Sequence, residues 1–161
     1  MDNIYSISIG SLHEPETVDS LSRTNQRAFI LHVLYSYHFT SQYYSIDQIL
    51  YDYGSHFEYC VQENGKVYKE ICMIIENISR ADEIITKLLK KWPIERISVV
   101  VLLVLRYALA EFLCTKNDSA LIINEAIELA KGFAEENSFR LINGVLDAWV
   151  KQEKELPIVS E

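Results

Sequence analysis

The side chains that could support catalysis or metal binding are few in this chain of 161 residues, and their spacing does not bring them together. No two histidines are four residues apart, the spacing that places two imidazoles on one helix face as metal ligands. The histidines are His13, His32, His38 and His56. Since the cysteines Cys60, Cys72 and Cys114 form no C-x-x-C pair, neither a zinc site nor a disulfide framework is expected. The sequence therefore predicts no metal and no cofactor.

One pair of carboxylates has a spacing that a general acid and base could use. Glu125 and Glu128 are three residues apart, which places them on the same side of a helix. Asn124 and Lys131 extend that polar face, so a solvated helix surface explains the pair better than a catalytic site. No glycine-rich phosphate loop or nucleophile elbow occurs elsewhere. We predict that the protein is not an enzyme.

Tyrosines and charge give opposite indications about nucleic acid. Seven of the ten tyrosines lie between residues 35 and 59, and such rings can stack on unpaired bases. Helical spacing assigns Tyr37 and Tyr53 to core faces, which leaves Tyr43 and Tyr44 as surface candidates. The net charge is −8, and residues 1–64 hold two arginines against eight acidic residues, a net of −6. Any RNA surface must therefore be local.

Hydrophobic periodicity places these residues on helices. Residues 1–21 have no helical stripe and are predicted to be an irregular leader, residues 22–152 one helical domain, and residues 153–161 a tail. Seven helices and no strands are expected, with Pro93 starting the fifth helix. Its apolar run Val99–Leu105 could also be a buried strand, but the helix formers that follow favour a helix, and the run is too short to span a membrane.

Three polar features and one glycine have structural interpretations. Arg106 lies in the apolar fifth helix and is expected to pair with Glu111 or with a carboxylate of the sixth helix. Asn124 and Asn143 are expected to be buried amides that satisfy helix ends. Gly144 interrupts a helical stripe at a cost of roughly 1 kcal/mol. A close approach of two helices would explain it, so Gly144→Leu is expected to destabilise the fold by about 1–3 kcal/mol.

Several sequence blocks together resemble the NusB family. They are INEAIELAKGF at residues 123–133, NGVLD at 143–147, LRYA at 105–108, Glu111, and the segment from Trp92 to Arg96. The resemblance covers about Arg23 to Ala148 and fades between Phe39 and Gly65. It implies a compact all-α, seven-helix domain of two packed helical bundles. Within it Arg106, Asn124, Glu125, Asn143 and Gly144 are assigned to the structural family motif.

The resemblance also implies a function and a set of contacts. Members of the family are cytoplasmic transcription antitermination factors. They pair with NusE, a small-subunit ribosomal protein, and with it bind boxA RNA within the RNA polymerase antitermination complex during ribosomal RNA synthesis. The implied RNA-binding residues are Arg23, Asn25, Gln26 and Arg27, and the implied partner-binding residues are Tyr35, Glu95 and Val101. The family often has four or more cations at the start of its first helix, where this chain has two, so its own RNA affinity should be weak.

Two other functions are compatible with the sequence. The first is a protein-binding scaffold of the same family with weak or lost RNA recognition. The smaller number of cations at the start of its first helix would explain that loss. The second is a detached RNA-binding module of a ribosomal RNA cytosine methyltransferase, since the chain has no room for the catalytic domain. The free protein is expected to be a monomer or a homodimer.

Overall fold

Seven α-helices form the described part of the chain, and the predicted all-α class is confirmed. The structure, a computed structural model, describes residues 16–57, 59–89 and 93–155. The helices are α1 (Arg23–Thr40), α2 (Ile46–Phe57), α3 (Lys66–Glu76), α4 (Ile78–Leu88), α5 (Val99–Cys114), α6 (Ser119–Phe133) and α7 (Ser138–Glu155). Within these residues no helix is long and apolar enough to cross a membrane. Trp92, at the start of one matching block, lies outside the described residues.

Helix α5 is the centre of the fold. It packs against α1, α3, α4, α6 and α7. Its residues are apolar almost all round, and those from Val101 to Leu105 and from Tyr107 to Glu111 are buried. A helix with neighbours on several sides needs no polar face, which is why this segment lacks an amphipathic stripe. The apolar run is therefore a buried helix, and the alternative of a buried strand is excluded.

The end of the predicted leader is ordered, in contrast to the expectation for residues 16–21. Strand β1 (Glu16–Thr17) pairs in parallel with β2 (Tyr59–Cys60), so the expectation of no strands is wrong, and a 3-10 turn at Val18–Ser20 follows. Val18 of that turn is buried in the core. The Asp19 carboxylate accepts a hydrogen bond of 2.8 Å from the Val67 backbone amide and so caps the start of α3. The prediction of an irregular leader can therefore apply only to residues 1–15, which lie outside the described part.

The start of the fifth helix differs from the sequence prediction. Pro93 precedes a 3-10 turn at Ile94–Arg96, and α5 begins at Val99 with Ser98 in the N-cap position. The backbone amide of Ile97 bonds to the Ile94 carbonyl and closes the turn, while the Ile97 side chain is buried. Burial of Ile97 fixes the turn against the core and leaves Ser98 extended, so Pro93 does not start α5.

Gly144 does not mark a close helix contact, and the prediction based on that contact is wrong. The glycine is exposed on α7, and a β-carbon built there would meet no other atom within 4 Å. An added side chain would point into open space, so overpacking is not expected. What remains is the intrinsic cost of a glycine in a helix interior.

We expect Gly144→Ala to stabilise the fold by about 0.5–1 kcal/mol, because alanine is the better helix former and the site is open. Urea unfolding followed by circular dichroism measures the change. Gly65→Ala is the contrasting variant, since a β-carbon there would run into the Asp19 carboxylate and lie 2.9 Å from the Gln62 carbonyl oxygen. Loss of stability in Gly144→Ala would mean that the glycine has a packing role after all.

Candidate functional site

The first arginine of α1 is held by a carboxylate of α3. Ser22 caps the helix by accepting a hydrogen bond from the Asn25 amide, and Arg23 follows in the first turn. The two terminal nitrogens of Arg23 donate to the two oxygens of Glu70 at 2.7 and 2.6 Å. The Arg23 side chain is 35% exposed, whereas that of Glu70 is 10% exposed. Arg23 thus retains an accessible edge, and its predicted RNA contact stays a prediction.

Arg27 lies in the core, contrary to the predicted RNA contact. Its two terminal nitrogens each donate to an oxygen of Glu111 at 2.8 Å, and the two side chains are only 5% and 3% exposed. Its Nε lies 3.3 Å from a Glu125 oxygen, and its guanidinium carbon lies 5.2 Å from the centre of the Tyr107 ring. A guanidinium enclosed in this way has no surface for a phosphate. Arg27 joins α1 to α5 and α6.

Gln26 is also buried, so it too does not match the predicted RNA contact. Its side-chain amide donates to the backbone carbonyls of Asp19 and Leu21 at 2.9 and 3.1 Å. These bonds tie the 3-10 turn to the first turn of α1. Asn25, in contrast, is exposed. Of the four residues assigned to RNA, the structure therefore leaves Asn25 exposed and Arg23 partly exposed.

Five charged side chains and one phenol make up what we call the ionic cluster. Its members are Arg23, Arg27, Glu70, Tyr107, Glu111 and Glu125. Burial by itself would raise the pKa of Glu70, but hydrogen bonds from Arg23 and Tyr107 outweigh burial and lower that pKa. Burial and the nearby Glu70 carboxylate raise the pKa of Tyr107, which therefore donates as a neutral phenol. The cluster connects α1, α3, α5 and α6.

The sequence analysis missed the ionic cluster, although one signal for it was present. Arg27 precedes Ile30, Leu31 and Leu34 by three, four and seven residues, so it falls on the apolar face of α1. Glu111 lies in the same way inside an almost wholly apolar helix. A lone charge on each of two core faces indicates a buried pair. Which charges meet could not be read from spacing along the chain.

A row of surface residues, all exposed except the half-buried Ala28, runs along the outer face of α1. It consists of Asn25, Ala28, His32, Tyr35 and Phe39, at alternating intervals of three and four residues, and we call it the α1 stripe. Tyr35 is 46% exposed and Phe39 is 54% exposed, and their ring centres are 5.0 Å apart. His32 meets the ring of Phe133 from α6 edge to face at 5.4 Å. The stripe is polar at its N-terminal end and aromatic at its C-terminal end.

The three residues predicted to bind a partner have different environments. Tyr35 lies on the aromatic end of the α1 stripe, and Glu95 is exposed on the 3-10 turn before α5. Val101 is 3% exposed, so its side chain is not at the surface, and the structure contradicts its assignment as a contact residue. The reason is that α5 has neighbours on several sides. The partner contacts of Tyr35 and Glu95 remain predictions.

The pairing predicted for Arg106 is wrong. Arg106 donates two hydrogen bonds of 2.7 Å to Asp82 of α4. Glu111 is five residues further along α5 and so points to another side of the helix, where it binds Arg27. The arginine therefore fastens α4 to α5, and not α5 to α6.

The other motif residues also differ from their predicted roles. Asn124 is exposed and so is not a buried amide, and the half-buried Asn143 donates to Asp147 in the same helix at 3.1 Å. Glu125 faces Arg27, whereas Glu128 pairs with Lys131 at the surface. The two glutamates therefore have separate environments, and they do not form an acid–base pair.

The described residues contain no group of three or more histidine, cysteine, aspartate or glutamate side chains that could hold a metal ion. Among the cysteines, Cys60 and Cys72 are half-buried and Cys114 is exposed. The arrangement therefore offers ion pairs that hold helices together, and an exposed aromatic and polar stripe suited to binding.

Comparison with known proteins agrees with the earlier resemblance. The model of the NusB family matches residues 24–151. Over 75 residues, which are 47% of this chain and 57% of the relative, the sequence is 47% identical to the transcription antitermination protein NusB of Sulfurimonas denitrificans. The chain spans a little over half the length of this relative and of two similar ones.

Solved structures extend the match over most of the chain. T. maritima NusB is 31% identical, with a TM-score of 0.68, and the match covers 82% of this chain and 92% of that one. A chain in a crystal structure of a plectonemic RNA supercoil is 25% identical, with a TM-score of 0.67, over 84% of this chain and 99% of that one.

Proposed function

The chain belongs to the NusB family, and we propose that it acts by binding, as a transcription antitermination factor that works with NusE and boxA RNA during ribosomal RNA synthesis in the cytoplasm. Relatives named as antitermination proteins favour this function over a detached module of a methyltransferase. We propose no catalytic step, because the carboxylates of the site are engaged in ion pairs.

The observation that carries the proposal is the α1 stripe. Aromatic rings are enriched at the cores of protein interfaces, and Tyr35 and Phe39 form an exposed adjacent pair on a helix whose opposite face is in the core. We assign the NusE contact to this aromatic end. An acidic chain also suits a basic ribosomal protein as partner.

We therefore assign RNA binding to the combined surface of this chain and NusE. The ionic cluster removes Arg27 and most of Arg23 from the surface, which leaves the N-terminal end of α1 with little positive charge. A net charge of −8 repels phosphates, so the chain alone should bind RNA poorly. NusE would supply cations, and Arg23 and Asn25 would add contacts at the edge of the pair.

Mobility shifts with boxA RNA test this proposal. We expect little binding by the chain alone and strong binding by its complex with NusE. Arg23→Gln combined with Asn25→Ala should weaken RNA binding by the complex about threefold to tenfold and reduce the log–log salt slope by no more than about 1, since one phosphate contact is lost. Arg27 is left intact in this variant because its removal would damage the core.

A matched control removes one arginine and one amide from another surface. Arg80→Gln combined with Gln152→Ala, on α4 and α7, should leave RNA binding unchanged. If the Arg23 and Asn25 variant binds RNA as tightly as the wild type, the RNA assignment of both residues is wrong. If the complex with NusE forms but does not bind boxA RNA at all, the protein is a scaffold that has lost RNA recognition.

A further inference from the structure

A cleft opens between α2, β2 and α3, away from the α1 stripe. Its volume is about 660 Å³, within the range of roughly 300–1,000 Å³ typical of binding clefts. The wall on α2 runs from Asp47 to Ser55, and Val61 and Tyr68 line the other side. From Asp47 to Ser55, nine residues of helix, the axial rise is about 12 Å, the length of about four residues of extended chain. No residue of α1 lines the cleft.

The charged residues that line the cleft are acidic. They are Asp47 and Glu63, and no lysine or arginine is among the lining residues. A hydrogen bond to Asp47 raises the pKa of Tyr68 to about 12. Burial raises the pKa of the nearby Cys72, and the negative charges of Glu76 and Asp47 raise it further. Lys66 and Lys69 are exposed on α3 but do not line the cleft, and residues 1–64 carry a net charge of −6.

An aromatic side chain completes the surface. Tyr51 lines the cleft and is 77% exposed, so most of this residue is open to solvent. A guanidinium or ammonium group over such a ring gains a cation–π interaction. Carboxylates, an open ring and an apolar floor containing Leu50 and Val61 together match the head and stem of arginine and lysine side chains. The same carboxylates repel the phosphates of RNA.

We propose that this cleft docks a short extended segment, rich in arginine and lysine, of a protein partner. The occupant lies along α2, with its cations on Asp47, Glu63 and Tyr51. The surface is separate from the α1 stripe, so this proposal does not rest on the binding of NusE or RNA at that stripe.

Fluorescence anisotropy with a labelled octapeptide of alternating arginine and serine tests the proposal. Asp47→Asn combined with Glu63→Gln should weaken peptide binding about fivefold to tenfold, as expected for the loss of two exposed ion pairs. Tyr51→Ala should weaken it about threefold through the lost cation–π contact, and truncation of so exposed a ring leaves the fold intact. An octapeptide of alternating glutamate and serine should not bind.

The matched control is Glu128→Gln combined with Glu136→Gln, which removes two exposed carboxylates from α6 and the turn after it. It changes the net charge equally and should alter peptide binding less than about twofold, because these carboxylates are not among the residues that line the cleft. Equal weakening by the control, or no peptide binding by the wild type, would overturn the proposal. NusE and RNA binding should be unchanged in the Asp47 and Glu63 variant, so failure here is distinct from failure of the proposed function.

Discussion

Replacing Arg27 with alanine should lower the free energy of unfolding by about 3–5 kcal/mol. The change removes the guanidinium that binds both oxygens of Glu111 and leaves that buried carboxylate with only a longer contact of 3.7 Å to Arg23. Charged groups in the interior need an opposite charge or several hydrogen bonds, and the loss of one partner leaves the cost of dehydrating the other uncompensated. Urea unfolding monitored by circular dichroism measures the effect.

Two further variants distinguish the loss of the ion pair from other causes of lower stability. Arg140→Ala removes an exposed arginine from α7 and should change stability by less than about 0.5 kcal/mol. Arg27→Met combined with Glu111→Leu removes both charges and should recover most of the lost stability, because no charge is then left buried alone. A loss below about 1 kcal/mol in Arg27→Ala would show that Glu111 finds another partner or water.

Tyr35→Ala combined with Phe39→Ala should weaken NusE binding by at least about 2 kcal/mol, or roughly 30-fold in Kd. The two rings form the aromatic end of the α1 stripe, and large aromatic side chains supply much of the binding energy at protein interfaces. Because both side chains are about half exposed in the free protein, their removal should cost the fold little. Isothermal titration calorimetry with purified NusE measures the change.

Tyr51→Ala is the matched control for this second variant. Tyr51 is even more exposed than Tyr35 but lies on α2, outside the α1 stripe. It should leave the affinity for NusE unchanged. If the Tyr35 and Phe39 variant keeps wild-type affinity, the partner binds elsewhere on the protein, and Glu95 becomes the remaining predicted contact.

These two variants separate two roles of a single helix. The inner face of α1 carries Arg27 and holds the fold through the ionic cluster, while its outer face carries Tyr35 and Phe39. A variant that removes both Arg23 and Arg27 would therefore report mainly on folding. RNA experiments on this chain need changes restricted to Arg23 and Asn25.

The amino-acid sequence by itself determined the helical class, the apolar character of α5 and the family. Each of these depends on a local pattern: the recurrence of apolar residues every three or four positions, a long apolar run followed by helix formers, or a matching block of residues. The packing of Tyr37 and Tyr53 against the core followed from the same spacing and is confirmed. Local patterns persist whatever lies opposite them in the fold.

Only the tertiary structure decided which charges meet and which side chains reach solvent. Arg27 and Glu111 are 84 residues apart in the chain, and Arg106 pairs with Asp82 although Glu111 is nearer in sequence. Gly144 proved to face open space, and Val101 proved to be enclosed. Spacing along one helix gives the direction of a side chain about that helix, but its partner depends on which other helices pack there. For that reason the sequence predicted the helices well and the roles of their charged residues poorly.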